Sequence, residues 1–510
     1  MSSLIPRLAV VPLLAGSMTA VVCEFAFATP AFTQADTLWV HHSTSKVELA
    51  QLSPVGGLLL STKDGLRALD QETGETTWQR RVLSITGAGL GTQPFSEQAV
   101  VWGKQSFRIL DVNTGLLNSA EGDFPPVEEL RGYFSISSKQ LLLVFAKTSV
   151  SKSTLFGVEL PSQIVRWRQD SLFTREPKFG QVDGVRSIKE FQWPVVDSDT
   201  SLVLYVSKDG PIRLDLRTGE LMWRADALRE QSVPEVLEGA AQMMLEDGVL
   251  YVPYEKHLAA IRVDDGAVLW NRSEEFRAPV SQMESTEYGL VVRGKDKFIN
   301  VIDRETGESH WPEDFRKLKN TTPFVRLGDE VYVAADKRIV GLQLTSGDSL
   351  HSTPFEFKGG EVPEIIERID DAIFVASTQN FLLSIPSDGV AYHEYYKAPG
   401  QSFLAKLAVV ALAAGASLAS PNYNYVPQGG FKRFARAKIA LQYIYVLTER
   451  PTPDRKGFSL VRLRKHDGSE AGRVWFRDRS PSYVLDTITS TVYELPDDHT
   501  VIARRFPEVR

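Results

Sequence analysis

The chain has 510 residues, a formal net charge of −7 and 43% apolar residues, ample for a large buried core. No strong acidic or basic block occurs over most of its length, which argues against a general nucleic-acid binder, because that role needs a basic surface facing the phosphates. One cysteine, Cys23, rules out a disulfide framework, and no G-x-G-x-x-G or G-x-x-x-x-G-K-[ST] phosphate loop occurs.

The first 28 residues predict a secretory leader. Arg7 supplies the charged start, Leu8 to Val22 an apolar stretch, and Ala26-Phe27-Ala28 a small-residue cleavage site, with Thr33-Gln34-Ala35 as the later choice. An uncleaved anchor is the alternative. A lipid-modified Cys23 is disfavoured by the bulk of Val22 before it. Cleavage leaves a mature chain without thiol chemistry.

From residue 36 a hairpin signature returns again and again. Asp70, Thr73-Gly74 and Trp78 recur as Asp215, Thr218-Gly219 and Trp223, and as Asp303, Thr306-Gly307 and Trp311. Gly266 and Trp270 keep the frame with Arg262 in the Asp position, and Asp111 with Thr114-Gly115 keeps the turn with Ser119 in place of Trp. Weaker copies lie at Ser162 with Trp167, at Gly347 and Gly389 with His351 and His393 in the Trp position, and at Gly468. Gly219, Gly266, Gly307, Gly347 and Gly389 follow at intervals of 47, 41, 40 and 42 residues. Periods of about 40–50 residues carrying several short strands mark propeller blades.

Apolar, β-branched and aromatic runs precede each turn, among them Leu202 to Val206, Glu330 to Ala334, Ala372 to Ala376 and Tyr443 to Leu447, and these predict buried strands. The expected fold is therefore all-β: a propeller of four-stranded blades over residues 36–510, about eight in number or more. The segment 36–40 is expected to join 491–495 and 500–506 in one last blade, closing the ring with both chain ends. The recurring aspartates are expected to cap turns and not to catalyse, because Asp accepts nearby backbone N–H groups there. The Trp of each unit is expected to pack between blades.

These residues resemble the pyrroloquinoline-quinone-type (PQQ-like) repeat, A-x-D-x-x-T-G-x-x-x-W, over about residues 45–480. Within that superfamily the chain is more similar to the non-catalytic BamB-like proteins than to the quinoprotein dehydrogenases. The resemblance implies a binding scaffold with no cofactor, PQQ included. The alcohol-oxidising relatives use adjacent cysteines against the quinone, and this chain has no cysteine pair. An oxidoreductase using the central channel is the rival function, and a sugar or polymer binder using Tyr395, Tyr396, Tyr423 and Tyr425 is a third. The eight histidines show no metal-ligand spacing, and no catalytic set stands out.

One segment departs from the repeat. The interval from Gly389 to Gly468 is 79 residues, a blade plus an insertion at 401–438. Residues 403–420 predict a short helix, apolar nearly all round and ended by Pro421. The basic, aromatic run Phe431, Lys432, Arg433, Phe434, Arg436 follows it. Two readings stand: a helix capping the propeller, or a peripheral membrane or partner contact through 403–438 that uses Phe403, Leu404, Leu407 and the basic run. The irregular stretch 173–194 is the second candidate contact region. The expected partners are envelope proteins and not nucleic acid, and the expected location is the periplasm, the outer-membrane periphery or the exterior.

Overall fold

The computed structural model describes residues 35–507 apart from 82–88, 93–96, 103–106, 118–128, 137–138, 150–151, 161, 163, 171, 173–178, 183–184, 189–190, 207, 233–240, 273–274, 295–296, 313–318, 398–441, 450, 452–456 and 479–480. Among the described residues there are ten antiparallel sheets of three or four strands, and one isolated two-stranded hairpin, Phe179–Val182 with Val185–Ile188. Numbered along the chain, the sheets form blade 1 (47–80), blade 2 (89–111), blade 3 (129–169), blade 4 (191–224), blade 5 (244–271), blade 6 (280–302), blade 7 (321–354), blade 8 (365–395), blade 9 (443–476) and blade 10 (483–505).

Blade 1 shows how the sequence pattern becomes a blade. Its strands are Val47–Leu52, Leu58–Thr62, Gly65–Leu69 and Thr76–Arg80. The second and third are buried at every position, because both of their faces meet neighbouring blades. The fourth buries only Trp78. First strands of neighbouring blades approach one another, as between blades 7 and 8 and between blades 10 and 1, so they lie innermost. Blades 2 and 6 have three strands, their fourth reduced to the single bridges Leu110 to Leu117 and Ile302 to Ser309. In blade 9 the turn at Gly468 joins the second and third of the three described strands, which are therefore the blade's second, third and fourth.

Each blade packs on the next through its own apolar cluster. Leu59, Leu66 and Trp78 of blade 1 meet Ala99, Val101 and Leu110 of blade 2. Ile109 of blade 2 meets Val144 and Phe156 of blade 3. The series continues around the chain, and Leu447 and Val474 of blade 9 meet Val492 and Phe506 in blade 10. The last cluster joins Trp39, Tyr493 and Val501 of blade 10 to Leu58 and Leu60 of blade 1. Ten sheets and ten interfaces make a closed ring, a β-propeller. The count fits the expectation of about eight blades or more.

The ring closes with both chain ends in one sheet. The N-terminal strand Asp36–His42 pairs antiparallel with Thr500–Arg505, which pairs with Thr491–Asp497. The last blade is thereby a complete four-stranded sheet, with strands from both chain ends in one ladder. The predicted helix at 403–420 lies outside the described residues.

Candidate interaction surface

The repeat turns are built the same way each time. Asp70 Oδ1 accepts the backbone N–H groups of Glu72 and Thr73, both at 2.8 Å, and the Thr73 hydroxyl at 3.2 Å. Asp111, Asp215 and Asp303 repeat all three bonds to the residues at the same offsets. The Thr oxygen then accepts the N–H after the glycine, as Glu75 donates to Thr73 at 3.3 Å. At Asp303 the Thr306 N–H holds the carboxyl below the usual range. At Asp70 and Asp215 partial burial opposes ionisation, but the turn N–H groups and the Thr hydroxyl outweigh it and keep the pKa low. In the Arg262 variant of the frame, Arg262 donates to Asp265 at 2.8 Å, and Asp265 accepts the Ala267 N–H instead.

Six glycines of the repeat turns carry a Trp ring from the preceding blade. Trp39 lies over Gly74, Trp78 over Gly115, Trp167 over Gly219, Trp223 over Gly266, Trp270 over Gly307 and Trp311 over Gly347. The indole N–H always donates to the carbonyl three residues before that glycine: Gln71, Val112, Leu216, Val263, Arg304 and Leu344, at 2.7 to 3.0 Å. Blade 8 makes the same contact with a tyrosine. Tyr392 lies over Gly468, and its hydroxyl donates to the Lys465 carbonyl. The sequence frame had placed His393 there; the hairpin is one residue shorter, so Tyr392 pairs with Leu383 in the register a Trp holds elsewhere. His393 instead faces Asn380 at 3.2 Å and packs on Phe357.

Buried charges are held by partners of opposite sign or by dense hydrogen bonding. Asp197 pairs with Arg213 at 2.6 Å, and Asp209, fully buried, with Arg224 at 3.1 Å. Glu361 is heavily bonded: it accepts from Ser377, Thr378, the Gln379 backbone and amide, and Asn380. Burial would raise its pKa, but these donors together hold it low. Glu284, on the first strand of blade 6, has its pKa raised by burial. Among the described residues no group of three His, Cys, Asp or Glu side chains is placed to hold a metal ion. His41 and His42 point to opposite sides of their strand, His41 to the Gly74 carbonyl and His42 to Thr500.

The predicted contact residues Phe403, Leu404, Leu407, Phe431, Lys432, Arg433, Phe434 and Arg436 lie outside the described residues. The structure does fix where that segment leaves and rejoins the ring. Lys397 is held at the exit by an ion pair to Glu449 and by the Thr448 hydroxyl at 2.8 Å, on the face opposite the repeat turns. Gln442 re-enters beside Lys465, on the repeat-turn face. The two ends of the segment thus lie on opposite faces. Of the tyrosines considered for sugar binding, Tyr396 is 1% exposed against Phe381 and donates to Glu470, so it offers no platform. Tyr395 packs under Lys358 and reaches Gln379.

What sequence reasoning missed is the apolar surface of the outer strands. Leu221, Met222, Leu269, Leu350 and Val390 are each 40–50% exposed on the fourth strands of blades 4, 5, 7 and 8. Met222 and Leu269 adjoin a Trp in the sequence, which is the available signal for these two, since alternation turns them away from the seam that the Trp fills.

The family model described as outer membrane protein assembly factor BamB matches residues 151–299, spanning blades 4 and 5 and parts of blades 3 and 6. The match includes the Trp167–Gly219 and Trp223–Gly266 contacts. The chain is a PQQ-like repeat β-propeller. No curated protein matches this propeller. Among solved structures it is similar to the computationally designed Ika8 protein, at 13% identity and TM-score 0.36, covering 71% of this chain and 100% of that one. It is similar to BamB from Moraxella catarrhalis at 15% identity and TM-score 0.35, covering 67% of this chain and 97% of that one. A quinohemoprotein alcohol dehydrogenase from Pseudomonas putida HK5 follows at 10% identity and TM-score 0.33, covering 72% and 73%.

Proposed function

We propose that this propeller is an exported, non-enzymatic scaffold that docks proteins of the cell envelope. The observation that carries the reading is the match of residues 151–299 to an outer membrane protein assembly factor. The physical support is a ring with aromatic–glycine contacts at seven of its ten described seams, a rigid platform from which exposed edges and crossovers project. The described buried carboxylates Asp197, Asp209 and Glu361 are engaged in holding the fold. Residues 1–28 act as the leader that exports the chain, and the protein works without PQQ. The contact regions are 173–194 and the insertion 401–438.

The test is affinity purification of the mature chain from solubilised envelope membranes, followed by rebinding of each purified candidate at defined stoichiometry. A partner that rebinds, with no quinone absorbance in the purified propeller, supports the scaffold. A quinone band in the isolated protein with no rebinding partner would sink it and favour the oxidoreductase.

A further inference from the structure

Large apolar side chains stand exposed where the chain leaves the repeat turns of four successive blades. They are Leu116 of blade 2, Ile164 of blade 3, Leu221 and Met222 of blade 4, and Leu269 of blade 5, each 42–61% exposed. Leu116 directly follows the turn glycine Gly115, Leu221 comes two residues after Gly219, and Leu269 three after Gly266. The row therefore edges the repeat-turn face of the ring. Exposed apolar residues that recur on neighbouring blades mark an interaction surface, where single ones would need no explanation.

The face that they edge is acidic. The turns from first to second strand lie on it too, since the Leu216 N–H donates to Thr200 and the Val263 N–H to Gly248. Among the described residues, the segments joining first to second and third to fourth strands carry 20 Asp or Glu against four Lys or Arg. The segments joining second to third strands, on the opposite face, carry six against five. The negative charge is thus a property of one face. Turn N–H groups hold Asp265 and Asp303 below the usual carboxylate range, so the face stays ionised in mild acid. Some of its acids are paired, as Asp265 with Arg262 and Glu287 with Arg326. Glu220 and Asp264, beside the apolar row, are exposed.

We propose that this edge, from Ile164 to Leu269 across blades 3 to 5, docks a basic segment of a partner protein in which apolar side chains are interspersed with Lys or Arg. The proposal rests on the scaffold reading and names its surface and the chemistry of the partner. Burial of Ile164, Leu221, Met222 and Leu269 supplies the lasting contact. The acids around them select a partner of opposite charge and speed its encounter. The same field turns away an anionic lipid surface and nucleic acid, both of which share the sign of this face.

The test is fluorescence anisotropy of the full-length propeller with a fluorescein-labelled peptide that repeats Lys-Leu-Lys four times. Salt is held at about 0.15 M, where charges more than about 8 Å away are screened. The leucine peptide should bind, and a peptide of equal charge repeating Lys-Ser-Lys should bind at least about tenfold more weakly. Glu220→Lys with Asp264→Lys reverses the charge beside the row and should weaken the leucine peptide at least about tenfold. Asp226→Lys with Glu356→Lys makes the same change in net charge in the crossovers of the opposite face and should leave binding unchanged. Met222→Ser with Leu269→Ser should bring the leucine peptide down to the affinity of the serine peptide. All six positions are exposed, so the variants keep the fold. No binding by the wild type, equal affinity for the two peptides, or equal weakening by the two charge-reversed pairs would overturn the proposal. An envelope partner that rebinds the Glu220→Lys, Asp264→Lys variant as tightly as the wild type would overturn it too, while leaving the scaffold reading in place.

Discussion

Trp39 lies on Gly74 across the seam where the ring closes: a methyl added at Gly74 would stand 2.4 Å from Cδ2 of the indole, whose N–H donates to Gln71 at 3.0 Å. The first described strand is thereby fastened twice, by its ladder to Thr500–Arg505 and by this ring. Trp39→Ala removes the second fastening. It should cost about 3–5 kcal/mol, the range for deleting a buried aromatic, and should expose the chain near residue 36 to protease first. Urea denaturation with mass analysis of early thermolysin fragments checks both.

The glycines of the repeat turns should separate into two classes. Alanine at either Gly74 or Gly389 carries a positive-φ cost of about 1 kcal/mol. Only at Gly74 does the new methyl also meet a ring. Overpacking of that kind adds about 1–3 kcal/mol, so Gly74→Ala should be less stable than Gly389→Ala by that amount. Equal denaturation midpoints for the two variants would contradict the lock.

At the blade 8 to blade 9 seam the hydroxyl of Tyr392 takes the place of the indole N–H. Tyr392→Phe keeps the ring over Gly468 and leaves the Lys465 carbonyl without this donor. A loss of about 0.5–1.5 kcal/mol is expected, measured as a shift in urea midpoint at constant slope.

Acid should weaken the ring at Glu361 and Asp303. Both carboxyls have folded-state pKa values held below their ordinary range, Glu361 by its donors against the opposing effect of burial, and Asp303 first by the Thr306 N–H. Their contribution is therefore present above the ordinary carboxylate pKa and is lost as pH falls through the lower folded value. Glu361→Gln should cost about 1–3 kcal/mol at neutral pH and progressively less below pH about 4. Denaturation curves of wild type and variant that stay parallel from neutral to acid pH would refute this.

Much of the fold was legible because the repeat writes its geometry locally. Asp, Thr and Gly within five residues specify a turn whose hydrogen bonds are all short-range, so Asp70, Asp215 and Asp303 announce their hairpins without reference to the rest of the chain. The closing blade was legible from its three strand-like runs, 36–40, 491–495 and 500–506, without a turn motif. The degenerate units were harder. Tyr392 substitutes for Trp one residue earlier than the frame allows, and only pairing with Leu383 shows which side chain reaches the next blade.

The sequence by itself determined an all-β repeat of propeller type, the residues of its turns and the pairing of its two ends, since hydrophobic alternation and turn chemistry act over a few residues. The tertiary structure alone decided how many blades close the ring, because that number depends on the angle between packed sheets and not on any one of them. It alone also decided which ring lies on which glycine, and left Gly389 uncovered, because a contact between blades some forty residues apart exists only once both faces have been brought together.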